Sequence, residues 1–203
     1  MALIDYKIPE SSFVKIRARI AEILASELPN QAALNKSEWF NAKVYAERET
    51  AIDKTEPSLI NVTLSRGDYD LLTAISQDGQ YNFNIDIYTR AKSSVEQNGD
   101  QKSSERLQRL TGVCHHILSH HIYRALGFAP PFIEHCSVQT IQFADPIKED
   151  QASNVFMSRI VFGVRAPEKS NPNAGDVLAG YKTTVKMSET DYGYFYEWEK
   201  PEE

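Results

Sequence analysis

The sequence predicts an α+β fold: a mixed, mainly antiparallel sheet with two main helices packed on one face, plus a C-terminal β extension. Residues 11–28 and 103–126 each carry apolar residues at three- and four-residue spacings, the pattern of an amphipathic helix. Residues 81–88 alternate apolar and polar side chains, and residues 158–164 form a later strand-like run. This order of elements indicates a small sheet covered by two helices.

The first helix is predicted at residues 11–28. Ser11 and Ser12 are suitable N-cap residues, because a serine hydroxyl accepts a hydrogen bond from a free N–H group of the first turn. Pro29 and Asn30 are expected to end the helix. The apolar stripe consists of Phe13, Ile16, Ile20, Ile23, Leu24 and Leu28.

The first half of the chain also contains the first strands of the predicted sheet. They are expected at residues 43–48, 59–65 and 81–90. Turn residues at 66–68 and at 78–79 are expected to reverse the chain. Residues 69–76 fit neither period cleanly, so that both a strand and a short helix are open there.

A polar stretch at residues 91–102 is predicted to be a loop before the second helix. The helix is expected at 103–126, with Glu105 in its first turn, where a carboxylate complements the helix dipole. Gly127 is a natural C-cap, and Pro130 prevents continuation. The apolar stripe consists of Leu107, Leu110, Cys114, Ile117, Leu118, His121, Ile122 and Ala125.

The second half adds strands at residues 137–143 and 155–165. Three segments are predicted on this basis. Residues 1–166 form the main α+β domain, residues 167–180 a linker or long loop, and residues 181–203 an aromatic-rich extension.

Composition narrows the class of protein. The chain has 203 residues, of which 41% are hydrophobic and 25% charged, as expected for a globular domain with a real core. The net charge is −6 and there is no basic block, which argues against tight binding to nucleic-acid phosphates.

Cys114 and Cys136 are not in a CxxC pair and are expected to be reduced thiols. The N-terminus does not resemble a signal peptide, so we expect a protein made in the cytoplasm.

Four histidines lie close together on the second predicted helix. His116 and His120 are four residues apart, a spacing that lets two imidazoles share a metal ion. The HExxH pattern is absent, and no third ligand or base lies near them in sequence. His121 falls within the apolar stripe and is expected in the core or at its edge. His116 and His120 are expected on a solvated or subunit-facing surface, with no metal bound.

Motifs of catalysis are absent from the sequence. Asp68 and Asp70 bracket a predicted turn, and Asp86 lies on the polar face of a strand without the second acidic residue of a restriction-nuclease site. There is no GxSxG elbow, no phosphate-binding P-loop and no GxGxxG fingerprint. We therefore expect a protein that is not an enzyme and that uses no cofactor.

The C-terminal extension carries the clearest signal for binding. Tyr192, Tyr194, Tyr196 and Trp198 alternate with other residues, so that an extended strand would present four aromatic rings on one face. Aromatic residues supply much of the energy of protein interfaces. The extension either adds to the sheet edge of a neighbour or folds back as an edge strand of its own sheet.

The order of elements resembles that of the tail terminator, or tail-completion, proteins of long-tailed bacteriophages. The resemblance covers about residues 11–166 and does not include residues 181–203. The elements that carry it are the helix at 12–28, the strand Leu59-Ile60-Asn61-Val62-Thr63-Leu64, the strand Tyr81-Asn82-Phe83-Asn84-Ile85-Asp86-Ile87-Tyr88, the helix at 105–126 and the strand Met157-Ser158-Arg159-Ile160-Val161-Phe162-Gly163-Val164.

The resemblance implies a ring, usually of six copies, at the head-proximal end of the tail in the virion, assembled in the host cytoplasm. Such a ring caps the tail tube protein, meets the head-tail connector or head-closure protein, and lets DNA pass without specific binding. The sheath protein is a further partner that the resemblance implies. Asn82, Asn84 and Asp86 could then contact the next subunit. The alternatives are another neck or baseplate component, a metal-dependent hydrolase that uses His116 and His120, or an adaptor that binds peptides by strand addition.

Overall fold

The computed structural model describes residues 7–48, 58–73, 76–90, 99–144, 147–148, 154–169, 180–186 and 193–199. Within these ranges the fold is α+β, as the sequence predicts. The elements in chain order are α1 (Ser12–Leu34), β1 (Lys43–Ala46), β2 (Ser58–Thr73), β3 (Ser76–Arg90), α2 (Gly99–Leu118), β4 (His135–Phe143), β5 (Ile147–Lys148), β6 (Asn154–Lys169), β7 (Gly180–Lys186) and β8 (Gly193–Glu199), with 3-10 turns at Glu38–Phe40 and His121–Tyr123.

The main sheet has the strand order β1-β2-β3-β6-β4, and the short strand β5 pairs with the start of β6. β1 is parallel to β2, and the other neighbouring strands are antiparallel, which makes the sheet mixed. Ile85 of β3 lies opposite both Val62 of β2 and Ile160 of β6. Apolar residues of adjacent strands therefore form rows across one face.

Both helices pack against this apolar face. Alternate residues of the central strands are buried because the side-chain period of a strand is two. The core consists mainly of Ile16, Ile20, Leu24 and Leu28 from α1, Leu107, Leu110, Cys114 and Ile117 from α2, and Ile60, Val62, Tyr81, Phe83, Ile85, Ile87, Ile160, Phe162 and Val164 from the sheet.

The first helix extends further than predicted, because it continues through Pro29 to Leu34. A proline removes one backbone hydrogen bond of a helix. Leu28 before Pro29 is fully buried, and Ala32 after it packs against the core. The buried face therefore continues past the proline, and packing outweighs the local preference.

The second helix is displaced from its predicted range. It begins at Gly99, inside the predicted loop, and ends at Leu118, whereas residues 91–98 of that loop lie outside the described residues. The chain then makes the 3-10 turn, and Leu126 adopts a positive φ of 51°. The Nε of Arg19 in α1 donates to the Leu126 carbonyl at 2.9 Å, a contact that holds this non-helical segment against α1.

The predicted turns at residues 66–68 and 78–79 are wrong, because both lie inside the long strands β2 and β3. Gly67 pairs with Tyr81, and a Cβ atom at Gly79 would lie 2.8 Å from Cε2 of the Tyr81 ring. The glycines therefore make room for an aromatic ring. Residues 69–73 are strand and pair with the start of β3, which in turn pairs with the end of β6.

The later connections also contain more strand than predicted. β6 continues through Pro167 to Lys169, into the predicted linker, because it pairs with β3 as far as Ser76. β5 occupies part of the polar connection between β4 and β6. Residues 170–179 of the predicted linker lie outside the described residues.

Candidate interaction surfaces

A groove with a volume of about 580 Å³ lies between the C-terminal half of α1 and the middle of α2. Its apolar lining comes from Phe40 and Ile117, which are buried, and from Val113, which is half-buried. Gly112 of α2 lines the groove and is exposed. Without a side chain at Gly112, the groove reaches the backbone of α2.

Two of the predicted partner-binding residues, His116 and His120, lie together in this groove. Their ring centroids are 6.2 Å apart. His116 belongs to α2, whereas His120 caps the following 3-10 turn, and its Nδ1 accepts a hydrogen bond from the N–H of Ile122 at 3.4 Å. A surface position is therefore confirmed for His116, and His120 is half-buried.

The expected position of His121 in the apolar stripe is wrong. Because α2 ends at Leu118, the helical spacing no longer applies, and His121 is exposed with its ring 4.4 Å from that of His120. It lines a second depression of about 440 Å³ together with His115 and His135. Within the described parts of the chain, no group of three or more His, Cys, Asp or Glu residues could hold a metal ion.

The walls of the groove are held by contacts between elements. The Tyr123 hydroxyl donates to Glu27 Oε1 of α1, and this hydrogen bond, followed by burial, raises the pKa of Tyr123. The guanidinium of Arg109 stacks 4.3 Å from the centroid of the Trp39 ring. These contacts place a cation and an apolar lining side by side, a combination suited to aromatic and acidic ligands.

The other predicted contact residues, Asn82, Asn84 and Asp86, lie on the face of the sheet opposite the helices. They alternate with the buried residues of β3, and both asparagines are half-buried. Asp86 accepts two hydrogen bonds from Arg159 of β6, Nε to Oδ1 at 2.6 Å and Nη2 to Oδ2 at 2.9 Å. This hydrogen bonding raises the pKa of Arg159. The Asp86 carboxylate is thus already engaged within the subunit.

The C-terminal extension forms a hairpin of its own. β7 and β8 pair antiparallel in a two-stranded sheet, so that neither is an edge strand of the main sheet. Tyr194, Tyr196 and Trp198 occupy alternate positions along β8, and Tyr192 lies outside the described residues. The alternative in which the extension folds back as an edge strand is therefore wrong for the described hairpin.

Two exposed apolar patches lie far apart on the main sheet. Ile141 and Phe143 of the edge strand β4 are 39% and 56% exposed. Tyr69 and Leu71, near the C-terminal end of β2, are 44% and 74% exposed. Phe143 of β4 pairs with Ser158 of β6, whereas Leu71 of β2 pairs with Gln77 of β3, which pairs with Glu168 of β6. Ser158 and Glu168 are ten residues apart on β6, so the patches are separated by roughly 33 Å along that strand.

Sequence reasoning did not identify several residues of these surfaces. Gly112 carried a usable signal, because a glycine inside a helical pattern is unusual without a packing or functional reason. The sequence contains no signal that identifies Arg109 or Phe143 as a surface residue of interest. The role of Arg109 depends on the position of Trp39, and the exposure of Phe143 depends on β4 being at the edge of the sheet.

The sequence matches no protein-family model and no curated protein. In the part of the chain that the structure describes, no helix has the length and apolar character needed to cross a bilayer. The surfaces described above are therefore the basis for a functional proposal.

Proposed function

We propose that this chain is a structural protein of a long-tailed bacteriophage that forms a ring at the head-proximal end of the tail. The observation that carries the proposal is the pair of apolar patches on one sheet, one at Ile141 and Phe143 and the other at Tyr69 and Leu71. Contiguous exposed apolar side chains, unlike single ones, mark protein contacts. Two different patches on one subunit suit a head-to-tail contact between copies, which closes into a ring when the rotation permits.

The order of elements further supports this proposal. The mixed sheet with two helices on one face matches the fold class that the resemblance to tail terminator proteins implies. In this proposal the ring caps the tail tube protein and presents its other side to the head-tail connector or head-closure protein. The net charge of −6 fits a bore through which DNA passes without being retained. Such a protein acts by surface complementarity and performs no covalent chemistry.

Oligomeric state tests the proposal directly. We expect mass photometry of the full chain to give a species of about six subunits and electron microscopy to show rings. Phe143→Glu or Leu71→Glu should shift the mass toward the monomer, because each places a charge in a patch between copies. Gln142→Glu, which changes the exposed residue beside Phe143 on the other face of β4, is the matched control and should leave the rings intact.

Position in the virion provides the second test. Antibody label against this chain should lie at the junction of head and tail, and label at the distal baseplate would support the alternative of a baseplate component. A wild-type chain that stays monomeric at all concentrations, alone and with purified tail tubes, would overturn the proposed ring.

A further inference from the structure

The main sheet has two open edges in the part of the chain that the structure describes. On one side, β1 pairs only with residues 59–62 of β2, so that residues 66–71 have no described strand beyond them. On the other side, β4 is the last strand of the sheet. Residues 65–71 and 139–144 are all exposed. An unpaired strand edge is a template for pairing with another chain.

We propose that β4 of one copy pairs with residues 66–71 of β2 in the next copy, which joins the main sheets of neighbouring subunits. This inference rests on the proposed ring and names the contact that closes it. The occupant of each edge is a second copy, because the two edges lie on opposite sides of one sheet and differ from each other. Such a heterologous contact uses both edges of every copy once.

The topology fixes the direction of this pairing. β2 and β6 run in the same direction because both are antiparallel to β3, and β4 runs opposite to them. When the helices of neighbouring copies lie on the same side of the joined sheet, β4 is therefore antiparallel to the β2 of the next copy. A parallel arrangement would place the helices of successive copies on opposite sides of the sheet.

The exposed apolar side chains of the two edges lie on the same face of the sheet. The Tyr69 ring lies 5.8 Å, between centroids, from the ring of Tyr81, which belongs to the core. Ile141 pairs with the core residue Ile160. The second residue of each patch is two positions further along its strand and points to the same face. In a continuous sheet, the two patches therefore meet on the face that carries the helices.

The peptide groups of Ile141 and Phe143 point out of the sheet. The N–H of Ala144 donates to the carbonyl of Met157 in β6 at 3.0 Å. Successive residues of a strand direct their N–H and C=O groups to alternate sides. Those of Phe143 and Ile141, one and three residues before Ala144, therefore face a strand placed beside β4.

The peptide groups of Tyr69 point out of the opposite edge. The carbonyl of Val62 faces β1, because it accepts from the N–H of Glu47 at 2.9 Å. Val62 pairs with Ile85, and Tyr69 pairs with Gly79. Ile85 and Gly79 are six residues apart on β3, an even number, so that both pairs have the same orientation. The N–H and C=O groups of Tyr69, and of the residue two positions later, therefore face away from β3.

One antiparallel register brings both apolar pairs together. When Phe143 lies opposite Tyr69, Ile141 lies opposite Leu71. Residues that exchange hydrogen bonds across an antiparallel pair have Cα atoms about 5.5 Å apart, close enough for their side chains to pack. The same register thus buries four exposed apolar side chains and pairs outward-facing peptide groups.

The charges of the other face permit this register. It places Gln142 opposite Asp70 and Ala144 opposite Asp68. β4 contains no Asp or Glu, so that the two aspartates meet no like charge across the contact. The amide of Gln142 is suited to donate to the Asp70 carboxylate. Both side chains are exposed, and Gln142→Glu should therefore weaken the contact by less than about fivefold.

The offset between the two patches along the strands is compatible with a closed sheet. The patches are level with Ser158 and Glu168, ten residues apart on β6. Joined copies are staggered by this distance, and their strands tilt relative to the ring axis. Closing a sheet requires a stagger and a tilt of this kind.

Pairing of β4 with the β4 of a second copy is the competing arrangement. It is a two-fold contact, which closes as a dimer and does not continue to a ring. It also leaves Tyr69 and Leu71 exposed. Pairing between β4 and β2 covers both patches and is the arrangement that the proposed ring favours.

Disulfide trapping in the full chain tests the direction and the register. Ile141→Cys with Leu71→Cys, and Phe143→Cys with Tyr69→Cys, each place two thiols directly opposite one another, within the Cα range of a disulfide. Both pairs are made in a Cys136→Ala background, because that thiol is only half-buried. Oxidation with diamide should link the copies into a ladder that ends at the ring.

The same four positions supply the matched controls. Ile141→Cys with Tyr69→Cys, and Phe143→Cys with Leu71→Cys, place the thiols diagonally, at a Cα distance of about 7–8 Å, and should link about tenfold less. Preferential linkage of these diagonal pairs would show a parallel or shifted contact and overturn the inference. Dimers linked through Ile141→Cys with Phe143→Cys, without a cysteine on β2, would overturn it in favour of the two-fold contact.

Hydrogen exchange of the wild-type chain gives a second readout. The amides of residues 69, 71, 141 and 143 should exchange at least about tenfold more slowly in the ring than in the Phe143→Glu chain, because they become hydrogen-bonded between copies. Amides at 82–86, inside the sheet, are the control and should not change. A contact through side chains alone would leave both sets of rates unchanged.

The outcomes separate this inference from the proposed function. Rings that show neither the expected disulfides nor the expected protection of these amides would overturn the joined sheet and leave the ring in place. A wild-type chain that stays monomeric would instead overturn the proposed function.

Discussion

Arg159 and Asp86 form a two-point ion pair across the central strands β6 and β3. Arg159 Nε lies 2.6 Å from Asp86 Oδ1, and Arg159 Nη2 lies 2.9 Å from Oδ2. The two partners differ in burial: the Asp86 side chain is 8% exposed, whereas that of Arg159 is 39% exposed. The buried Asp86 carboxylate therefore needs Arg159 to compensate its charge, whereas the more exposed Arg159 guanidinium can also be solvated by water.

The first prediction follows from this difference in burial. Arg159→Ala should lower the free energy of unfolding by about 2 kcal/mol, because it leaves a buried carboxylate with two unsatisfied oxygens. Asp86→Ala should cost less, about 1 kcal/mol, because the freed guanidinium can reach water. Urea denaturation of each variant and of the double variant measures both costs and their coupling.

Arg66 provides the control for that prediction. It forms an ion pair with Asp68 in which both side chains are more than half exposed. Arg66→Ala should change stability by less than about 0.5 kcal/mol. Equal costs for Arg159→Ala and Arg66→Ala would show that burial of Asp86 does not matter.

A second prediction concerns the glycine beneath the Tyr81 ring. In Gly79→Ala the new Cβ would lie 2.8 Å from Tyr81 Cε2 and closer still to its hydroxyl, and Tyr81 is fully buried. We expect a loss of about 1–3 kcal/mol in unfolding free energy. Gly112→Ala should instead gain about 0.5–1 kcal/mol, since its Cβ meets nothing within 4 Å. Thermal unfolding of both variants checks the opposite signs, and equal signs would contradict the prediction.

The main elements were predictable because hydrophobic periodicity reports which face of an element is buried. The stripe from Ile16 to Leu28 and the alternation of Tyr81, Phe83 and Ile85 both face the core. Boundaries were less predictable, because contacts distant in sequence set them. Arg19 reaches the carbonyl of Leu126, 107 residues away, and the spacing of apolar residues does not report such a bond.

The two turn predictions that relied on glycine were wrong because the role of a glycine also depends on contacts distant in sequence. Gly67 and Gly79 look like turn residues, and both lie in paired strands where a ring covers them. The sequence does not distinguish a glycine that serves a turn from one that serves a close approach. His116 and His120 were correctly placed near a surface, but the groove that contains them also needs Phe40, which is far away in sequence.

A third prediction concerns a buried pair of hydroxyls between α2 and the sheet. Thr111 Oγ1 lies 2.7 Å from the Leu107 carbonyl and 2.6 Å from Ser158 Oγ. The single hydroxyl hydrogen of Thr111 goes to the carbonyl, which cannot donate, so that Ser158 donates to Thr111. Thr111→Val should therefore cost about 1–2 kcal/mol, because it leaves the Ser158 hydroxyl buried without its acceptor.

The matched variant for this pair is Ser158→Ala, which removes the donor and leaves Thr111 with its bond to Leu107. It should cost less than Thr111→Val, and adding it to Thr111→Val should restore part of the lost stability. Chemical denaturation of the three variants measures these differences. Fully additive costs would show that the two hydroxyls do not interact, and a larger cost for Ser158→Ala than for Thr111→Val would contradict the assigned direction of the hydrogen bond.

A fourth prediction concerns the two thiols and alkaline pH. Burial raises the pKa of the Cys114 thiol to about 12, and Cys114 is fully buried in the core. Burial also raises the pKa of Cys136, where Arg124 acts in the opposite direction. Because the thiolate is the reactive form, a thiol reagent should modify Cys136 first in the native protein, and Cys114 only after unfolding.

The raised pKa of Cys114 also determines the sign of a stability change. An unfolded thiol ionises near pH 8.5, whereas the folded thiol stays neutral, so that unfolding releases a proton above that pH. The contribution to stability is complete below pH 8.5 and is lost as the pH rises toward 12. Between pH 7.5 and 9.5, the stability advantage of wild type over Cys114→Ala should therefore shrink by about 1 kcal/mol. Urea denaturation at both pH values measures it, and an advantage that stays constant or grows would show that Cys114 ionises in the folded protein as readily as in the unfolded chain.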